Sequence, residues 1–453
     1  MNFLKTGLGV FVSQVISLLL IPILSRIYAP SEFAELGYFL GLFAIVAPIC
    51  SLRLSDAIVV AKYQRSAHAL FELSILICAL LSVVVGVGIY LFSGDEKIAI
   101  YMILMIISYT GIQRSLFWLI RNSKFGGYSV LNATMTALVP ILQLSFYYLD
   151  YFGGLLDATL VSYLLVALIG NFYCYKMTPK RNLSVYIMIY SLKKQSKFIK
   201  YLTPYSLVGS LKQKIPYILL GSDSNVTGYL MQADRIMNAP NSLLSSAIRP
   251  VLYRFYSNNG VNQKNAHFVE TIVKFIVVIV VPIVALMIFN SEKFVIVVLG
   301  KEWAGASNIF SLLIISSGFL MITNWMDRLL DVMSKQKIGL IIESIMSMIV
   351  VLSLLSFSVL IESGHAIVLL YTVLMIFGSL IWLSTMYYFI GLGVSKLVNT
   401  LIFIFTISVI SYMMNIFLIK TEYYLSIYSS CYVVVVLLFL FSYKNKLLEV
   451  SRL

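Results

Sequence analysis

The chain has 453 residues, of which 60% are hydrophobic and 11% charged, with a formal net charge of +14. Soluble domains carry about 45–50% apolar and about 25% charged residues, so a water-soluble fold is excluded and lipid is the solvent that suits this composition. Cytoplasmic loops of membrane proteins collect Lys and Arg during insertion, so the positive charge does not imply nucleic-acid binding.

Apolar runs of roughly 18–25 residues, each long enough to cross about 30 Å of hydrocarbon, recur from end to end. The runs are continuous rather than alternating, and an open sheet edge cannot be satisfied in lipid, so they require helices and not a barrel. Met1 to Lys5 leads straight into the first run without a small-residue cleavage site, which predicts a retained first helix. In chain order the runs predict helices at residues 3–25, 35–60, 69–92, 98–120, 128–149, 153–175, 199–221, 226–250, 268–290, 305–326, 337–361, 366–390, 397–419 and 423–442. The expected fold is therefore an all-α polytopic membrane protein with about fourteen transmembrane helices.

Orientation follows from the loops. Of the 33 Lys and Arg, twenty-two fall in gaps on the side of the N-terminus, five fall on the opposite side (Arg26, Lys97, Lys293, Lys301 and Lys420), and six lie within helices. This bias puts both termini in the cytoplasm, and adding or losing one helix would spoil it. The longest polar gap, Tyr175 to Lys200, carries seven basic residues. It separates a first lobe of six helices (1–175) from a second (199–390) through a basic cytoplasmic linker (176–198), leaving two helices and a cytoplasmic tail in 391–453. Within the linker, Leu183 to Leu192 is too short to span; it lies along the lipid surface, or its flanking charges serve only as topology signals. A faint repeat supports parallel lobes: Gly37-Tyr38, Pro48, Ala57-Ile58 and Arg65 are echoed by Gly228-Tyr229, Pro240, Ala247-Ile248 and Arg254.

The four cysteines lie inside apolar runs and the three histidines are far apart, so neither disulfides, a metal site nor a catalytic cluster follows, and no cofactor is expected. The six basic residues inside helices are Arg53, Arg114, Lys212, Lys214, Arg235 and Lys274. Each costs on the order of 2.5–3.5 kcal/mol at a helix centre, so such residues face a cavity or a partner. Acids at similar depth are fewer: Asp56, Glu72 and Asp234, with Glu343 in a later helix. The first eight helices therefore read as having a cationic interior. Arg53 and Asp56 share a face and either pair or serve the cavity. Lys212 and Lys214 diverge by about 200°, so one faces the cavity, unless both snorkel to the headgroups. Pro204, Gly209 and Pro216 mark that seventh helix as a hinge. Guanidinium and ammonium groups suit a pyrophosphate or an acidic sugar and repel a cationic drug.

Three segments resemble a known family. Ile21-Pro22-Ile23-Leu24-Ser25-Arg26-Ile27-Tyr28-Ala29-Pro30-Ser31-Glu32-Phe33 is similar to the first-helix exit of the polysaccharide-exporting flippases. Thr227-Gly228-Tyr229 through Ala233-Asp234-Arg235-Ile236-Met237 and Pro240 looks like their eighth helix and that of lipid II flippases. Gly300-Lys301-Glu302-Trp303 resembles their Gly-x-x-Trp. The resemblance covers almost the whole chain and implies the multidrug/oligosaccharidyl-lipid/polysaccharide (MOP) exporter superfamily, with two lobes around a central cavity open alternately to each side. It further implies an undecaprenyl-diphosphate-linked oligosaccharide, such as an O-antigen repeat unit, as substrate in the bacterial inner membrane, with membrane lipids and O-antigen polymerase or chain-length proteins as partners. Arginines of helices one, two and eight line the cavity in such families, and Arg26, Arg53 and Arg235 match them. Many relatives carry an Asp-Arg pair where this chain has Lys214-Ile215-Pro216, which weakens any carry-over of an acidic ion-coupling site; Asp56, Glu72 and Asp234 remain as coupling or pairing candidates.

A lipid II flippase and an ion-coupled multidrug exporter are the alternatives on the same fold. A membrane glycosyltransferase or polymerase needs a sizeable outer loop, and the longest outer gaps, such as Asn290 to Ala304, are short. Glycine-rich phosphate loops are absent, so the chain reads as a transporter without direct ATP use. The orientation is checked by cysteine labelling in a variant freed of its four native cysteines. Lys301→Cys is expected to react with an impermeant maleimide in intact cells and Lys193→Cys only after permeabilisation; the reverse pattern would invert the topology.

Overall fold

A computed structural model of the chain describes residues 2–149, 154–177, 184–196, 198–260, 263–333, 335–361 and 363–418, together with Tyr424, Tyr428 and Tyr432. Among the described residues there is no strand. The helices are α1 (Asn2–Ile27), α2 (Pro30–Ser51), α3 (Leu54–Val60), α4 (Gln64–Ser93), α5 (Glu96–Arg121), α6 (Phe125–Tyr148), α7 (Gly154–Met177), α8 (Val185–Lys194) and α9 (Thr203–Leu220). They continue as α10 (Asn225–Asn259), α11 (Gln263–Phe289), α12 (Ser291–Val298), α13 (Ser307–Thr323), α14 (Asp327–Val332), α15 (Gln336–Leu360), α16 (Gly364–Ile390) and α17 (Gly393–Leu418). Among the described residues, ten helical segments are long and apolar enough to cross a membrane. α9 and α10 are not among them, because Ser, Gln, Lys, Asp and Arg side chains interrupt their apolar surface. The expected fourteenth helix (423–442) and the tail fall outside the described residues, apart from three tyrosines.

Helix two differs from expectation. The uninterrupted helix over 35–60 is broken between α2 and α3, where Leu52 and Arg53 take positive φ values of 45° and 51°. Two consecutive non-glycine residues in this left-handed region cost roughly 1–2 kcal/mol each. Neighbouring contacts hold the break. Arg121, in the last turn of α5, donates from Nη1 to the carbonyls of Ile58, Val59 and Ala61 at 2.9, 3.1 and 2.7 Å, capping the end of α3. Those carbonyls lie past the last intrahelical partner, so the arginine satisfies them. The short linker segment is also a helix, α8. Ser191 on it is buried and bonded to Ser66 on α4 at 2.8 Å, while Val185 and Tyr186 stay exposed.

The chain packs as two compact units. The first joins residues 1–231 to 343–360. There α1 lies on α6, tied by the buried Tyr28 hydroxyl donating to the Gln143 carbonyl at 2.8 Å, and α5 packs between α4 and α7. α2 and the start of α10 approach closely because Gly228 has no side chain: a Cβ there would lie 2.0 Å from the Pro30 carbonyl oxygen. This gives the Thr227-Gly228-Tyr229 motif a packing reason.

The second unit, 232–342 with 361–453, is built on α11, α13, α16 and α17. Two sets of charges are tied within it. Glu270 meets Lys274 at 2.6 Å, His267 at 3.2 Å and Lys396 at 3.9 Å, joining α11 to the start of α17. Lys274, one of the six basic residues within spans, is thus a packing cation. Arg249 meets Asp327 at 2.9 Å and the Asn324 carbonyl at 2.9 Å. Tyr428 and Tyr432 donate to the carbonyls of Pro282 and Ile279 on α11, where the proline disturbs the helical ladder. In the Gly-x-x-Trp segment, Gly300 supplies a φ of 112° and Trp303 is fully buried.

Gly228→Ala forces α2 and α10 apart and is expected to cost about 1–3 kcal/mol, as overpacking does. Thermal unfolding of the purified protein in detergent measures it; a midpoint equal to wild type would contradict this helix contact.

Candidate functional site

Within the first unit, α2, α3, α5, α9 and α15 enclose a cavity of about 340 Å³, within the roughly 300–1,000 Å³ usual for small-molecule sites. Each wall is a helical stripe. α5 presents Tyr109, Gln113 and Phe117, spaced four apart; α9 presents Ser206, Gly209, Ser210 and Gln213; α2 presents Phe43, Ala47 and Ser51. Residues three and four apart share a helix face, so each stripe faces one way. The break after α2 turns Arg53, Ser55 and Asp56 into the same cavity, and α15 adds Glu343.

The charges at this cavity are balanced. Arg53 donates from Nε to the Ser206 hydroxyl at 2.7 Å and lies 3.6 Å from the Asp56 carboxylate. Lys212 reaches across from α9 to Glu343 at 2.5 Å, both side chains more than four-fifths buried. Every ionised side chain lining the cavity therefore has an opposite charge within 4 Å. Lys214, about 200° around α9 from Lys212, lies over the Tyr217 ring at 4.7 Å instead. Lys212 thus pairs with a cavity residue.

Several lining groups are not spent on the protein. Among the described residues, Gln113, Ser210 and Gln213 make no hydrogen bond through their side chains, and the buried Ser55 Oγ has no partner. A buried hydroxyl left in this state costs about 1–3 kcal/mol. Tyr109 and Phe43 meet edge to face at 5.4 Å, giving the cavity an aromatic wall.

The other expected site residues lie elsewhere. Arg114 is 4% exposed and packed in the α4–α5–α7 core, donating to Asn171 Oδ1 at 2.9 Å and to the Phe71 carbonyl at 3.1 Å, with its guanidinium 4.5 Å from the Phe71 ring. Glu72 belongs to the same cluster: it accepts from the Tyr175 hydroxyl at 2.8 Å and lies 3.6 Å from His68. Arg26 is exposed in the last turn of α1. Asp234 and Arg235 are half-buried on α10 in the second unit. Of the hinge residues, Pro204 lies in the first turn of α9, directly after a π-helical turn over Phe198–Leu202, so its missing N–H falls where the hydrogen-bond ladder changes from π to α. Gly209 lines the cavity 3.7 Å from Glu343 Oε1, measured from the position a Cβ would take. Pro216 lies inside α9 and withholds the N–H that would bond the Lys212 carbonyl. Charge counting alone missed Tyr109, Gln113, Ser206, Ser210 and Gln213, although their period within apolar helices was a signal. Among the described residues no cluster of His, Cys, Asp and Glu could hold a metal ion.

Comparison with solved structures gives three likenesses of fold. The chain matches the lipid II flippase MurJ in an inward closed conformation at a TM-score of 0.72, with 16% identity over 98% of this chain and 99% of that one. It matches an inward-facing multidrug resistance MATE family transporter of the MOP superfamily at 0.61, with 15% identity over 83% and 94%. A MOP superfamily transporter from Pyrococcus furiosus, described as having a binding pocket of reverse polarity, follows at 0.50, with 14% identity over 87% and 96%. The fold is that of the MOP exporters. No curated protein sequence matches the chain. A family model described as polysaccharide biosynthesis protein matches residues 23–308, which run from the end of α1 through the Gly300–Trp303 turn and contain every residue of the cavity except Glu343. The chain, with this match over more than half its length, belongs to the polysaccharide biosynthesis protein family.

Proposed function

We propose that the chain is a flippase that carries an undecaprenyl-diphosphate-linked oligosaccharide, an O-antigen or similar repeat unit, from the cytoplasmic to the periplasmic face of a bacterial inner membrane. The observation that carries this reading is a hydrogen-bonding cavity among the helices of a bundle that belongs to a polysaccharide biosynthesis family. A polar cavity at membrane depth is tolerated where it meets water or a polar cargo, and a lipid-linked saccharide is such a cargo with an apolar tail. Both termini are cytoplasmic in this reading, and the two lobes, residues 1–175 and 199–390, rock about the cargo in alternating access. Arg26, Arg235 and Lys214 supply cations for the diphosphate, while Arg53 lines the cavity beside Asp56. Asp56 and Asp234 hold neighbouring arginines, and α9, with Gly209 and Pro216, bends as access alternates. O-antigen polymerase and chain-length proteins are the natural neighbours that would take up the product.

A lipid II flippase is the second reading, because the fold is shared with one. The family match and the Gly300-x-x-Trp303 turn favour the polysaccharide unit.

Complementation separates these readings. Expressed with its own glycan cluster in bacteria lacking their O-antigen flippase, wild type is expected to restore surface glycan. Arg235→Ala and Lys214→Ala, each removing a charge-assisted contact worth about 1.5–3 kcal/mol, are expected to lower it about ten- to a hundredfold at matched membrane levels. Arg114→Ala is expected to act differently, lowering the amount of folded protein, because it removes two hydrogen bonds and the guanidinium packed over the Phe71 ring from a buried site. Rescue of lipid II transport without rescue of surface glycan would overturn the first reading.

A further inference from the structure

We infer that the cavity of the first unit is a subsite for a neutral sugar ring of the cargo and not for its diphosphate; this rests on the flippase reading and specifies it. Three observations on the same cavity carry the inference. First, its charges cancel locally: Arg53 lies 3.6 Å from Asp56, and Glu343 lies 2.5 Å from Lys212. A diphosphate entering here meets two carboxylates as well as two cations, so it gains no net Coulomb attraction in exchange for losing its hydration. Second, the hydrogen-bonding groups that the protein leaves unused are neutral. Gln113 and Gln213 offer amides that both donate and accept, and Ser55 and Ser210 offer hydroxyls. Sugar hydroxyls likewise donate and accept, so they match this set, whereas a phosphate offers acceptors only. Third, Tyr109, Tyr205 and Phe117 give an aromatic surface for the apolar C–H face of a pyranose.

The subsite also accounts for the unpartnered Ser55 hydroxyl. A buried polar group without a partner destabilises the empty protein, and a ligand hydroxyl that reaches it removes that cost. Polar sites built this way discriminate strongly against an analogue that lacks the matching hydroxyl, because the site's own groups are then left unpaired. The cavity therefore selects for the sugar, while cations outside it are left to hold the diphosphate.

The test compares two probes on the full-length protein in nanodiscs: undecaprenyl diphosphate, and undecaprenyl diphosphate carrying one N-acetylglucosamine. Wild type is expected to bind the sugar-bearing lipid more tightly. Ser55→Ala and Gln213→Leu are each expected to weaken the sugar-bearing lipid about tenfold while changing the sugarless one less than about twofold. Ser55→Ala is also expected to raise the thermal midpoint of the ligand-free protein, which a purely structural serine would not do, and the exposed Gln213 tolerates replacement without unfolding. If both variants keep the wild-type preference, or weaken both probes equally, the subsite is overturned while the flippase reading stands. If wild type binds both probes equally, the subsite is likewise overturned. If wild type binds neither probe, the flippase reading fails and the subsite with it.

Discussion

In hydrocarbon a polar group must find its partner inside the protein, and this constraint organises the whole structure. The carbonyls at the end of α3 have Arg121. The carbonyls near Pro282 have Tyr428 and Tyr432. Glu270 is surrounded by Lys274, His267 and Lys396, and Arg114 is spent on Asn171 and Phe71. Around one cavity, amides and hydroxyls of Gln113, Ser210, Gln213 and Ser55 make no hydrogen bond to the protein among the described residues.

The break between α2 and α3 is the second element on which the site depends. Without the left-handed pair Leu52 and Arg53, the helix would run on and carry Ser55 about 200° away from Arg53. With it, the three residues enter one cavity, and Arg53 reaches Ser206 on α9. The cost of about 1–2 kcal/mol per residue is offset at the break by the Arg53 contacts to Ser206 and Asp56, while Arg121 caps the far end of α3.

Much of this was legible in the chain. The apolar runs located the helices; the short piece Leu183 to Leu192 became α8; the Gly-x-x-Trp turn follows from one positive φ and one buried indole. The divergence of Lys212 from Lys214 follows from helical rotation alone. The break in helix two was not legible, because Leu52 and Arg53 have no local preference for the left-handed region and are held there by distant residues. A count of charges along the chain read the interior of the first helices as cationic. It could not see that Glu343, far along in α15, neutralises Lys212, nor that Arg114 turns into a helix core instead of a cavity.

Composition and periodicity by themselves determined that this is a multi-helix membrane protein, since hydropathy is a local property summed over each run. Short motifs were enough to indicate the family. Only the tertiary structure decided which charges are paired and which polar groups remain available. Those choices rest on contacts such as Arg53 to Ser206, 153 residues apart. Pairing depends on distance and direction in space, and no spacing along a helix encodes either.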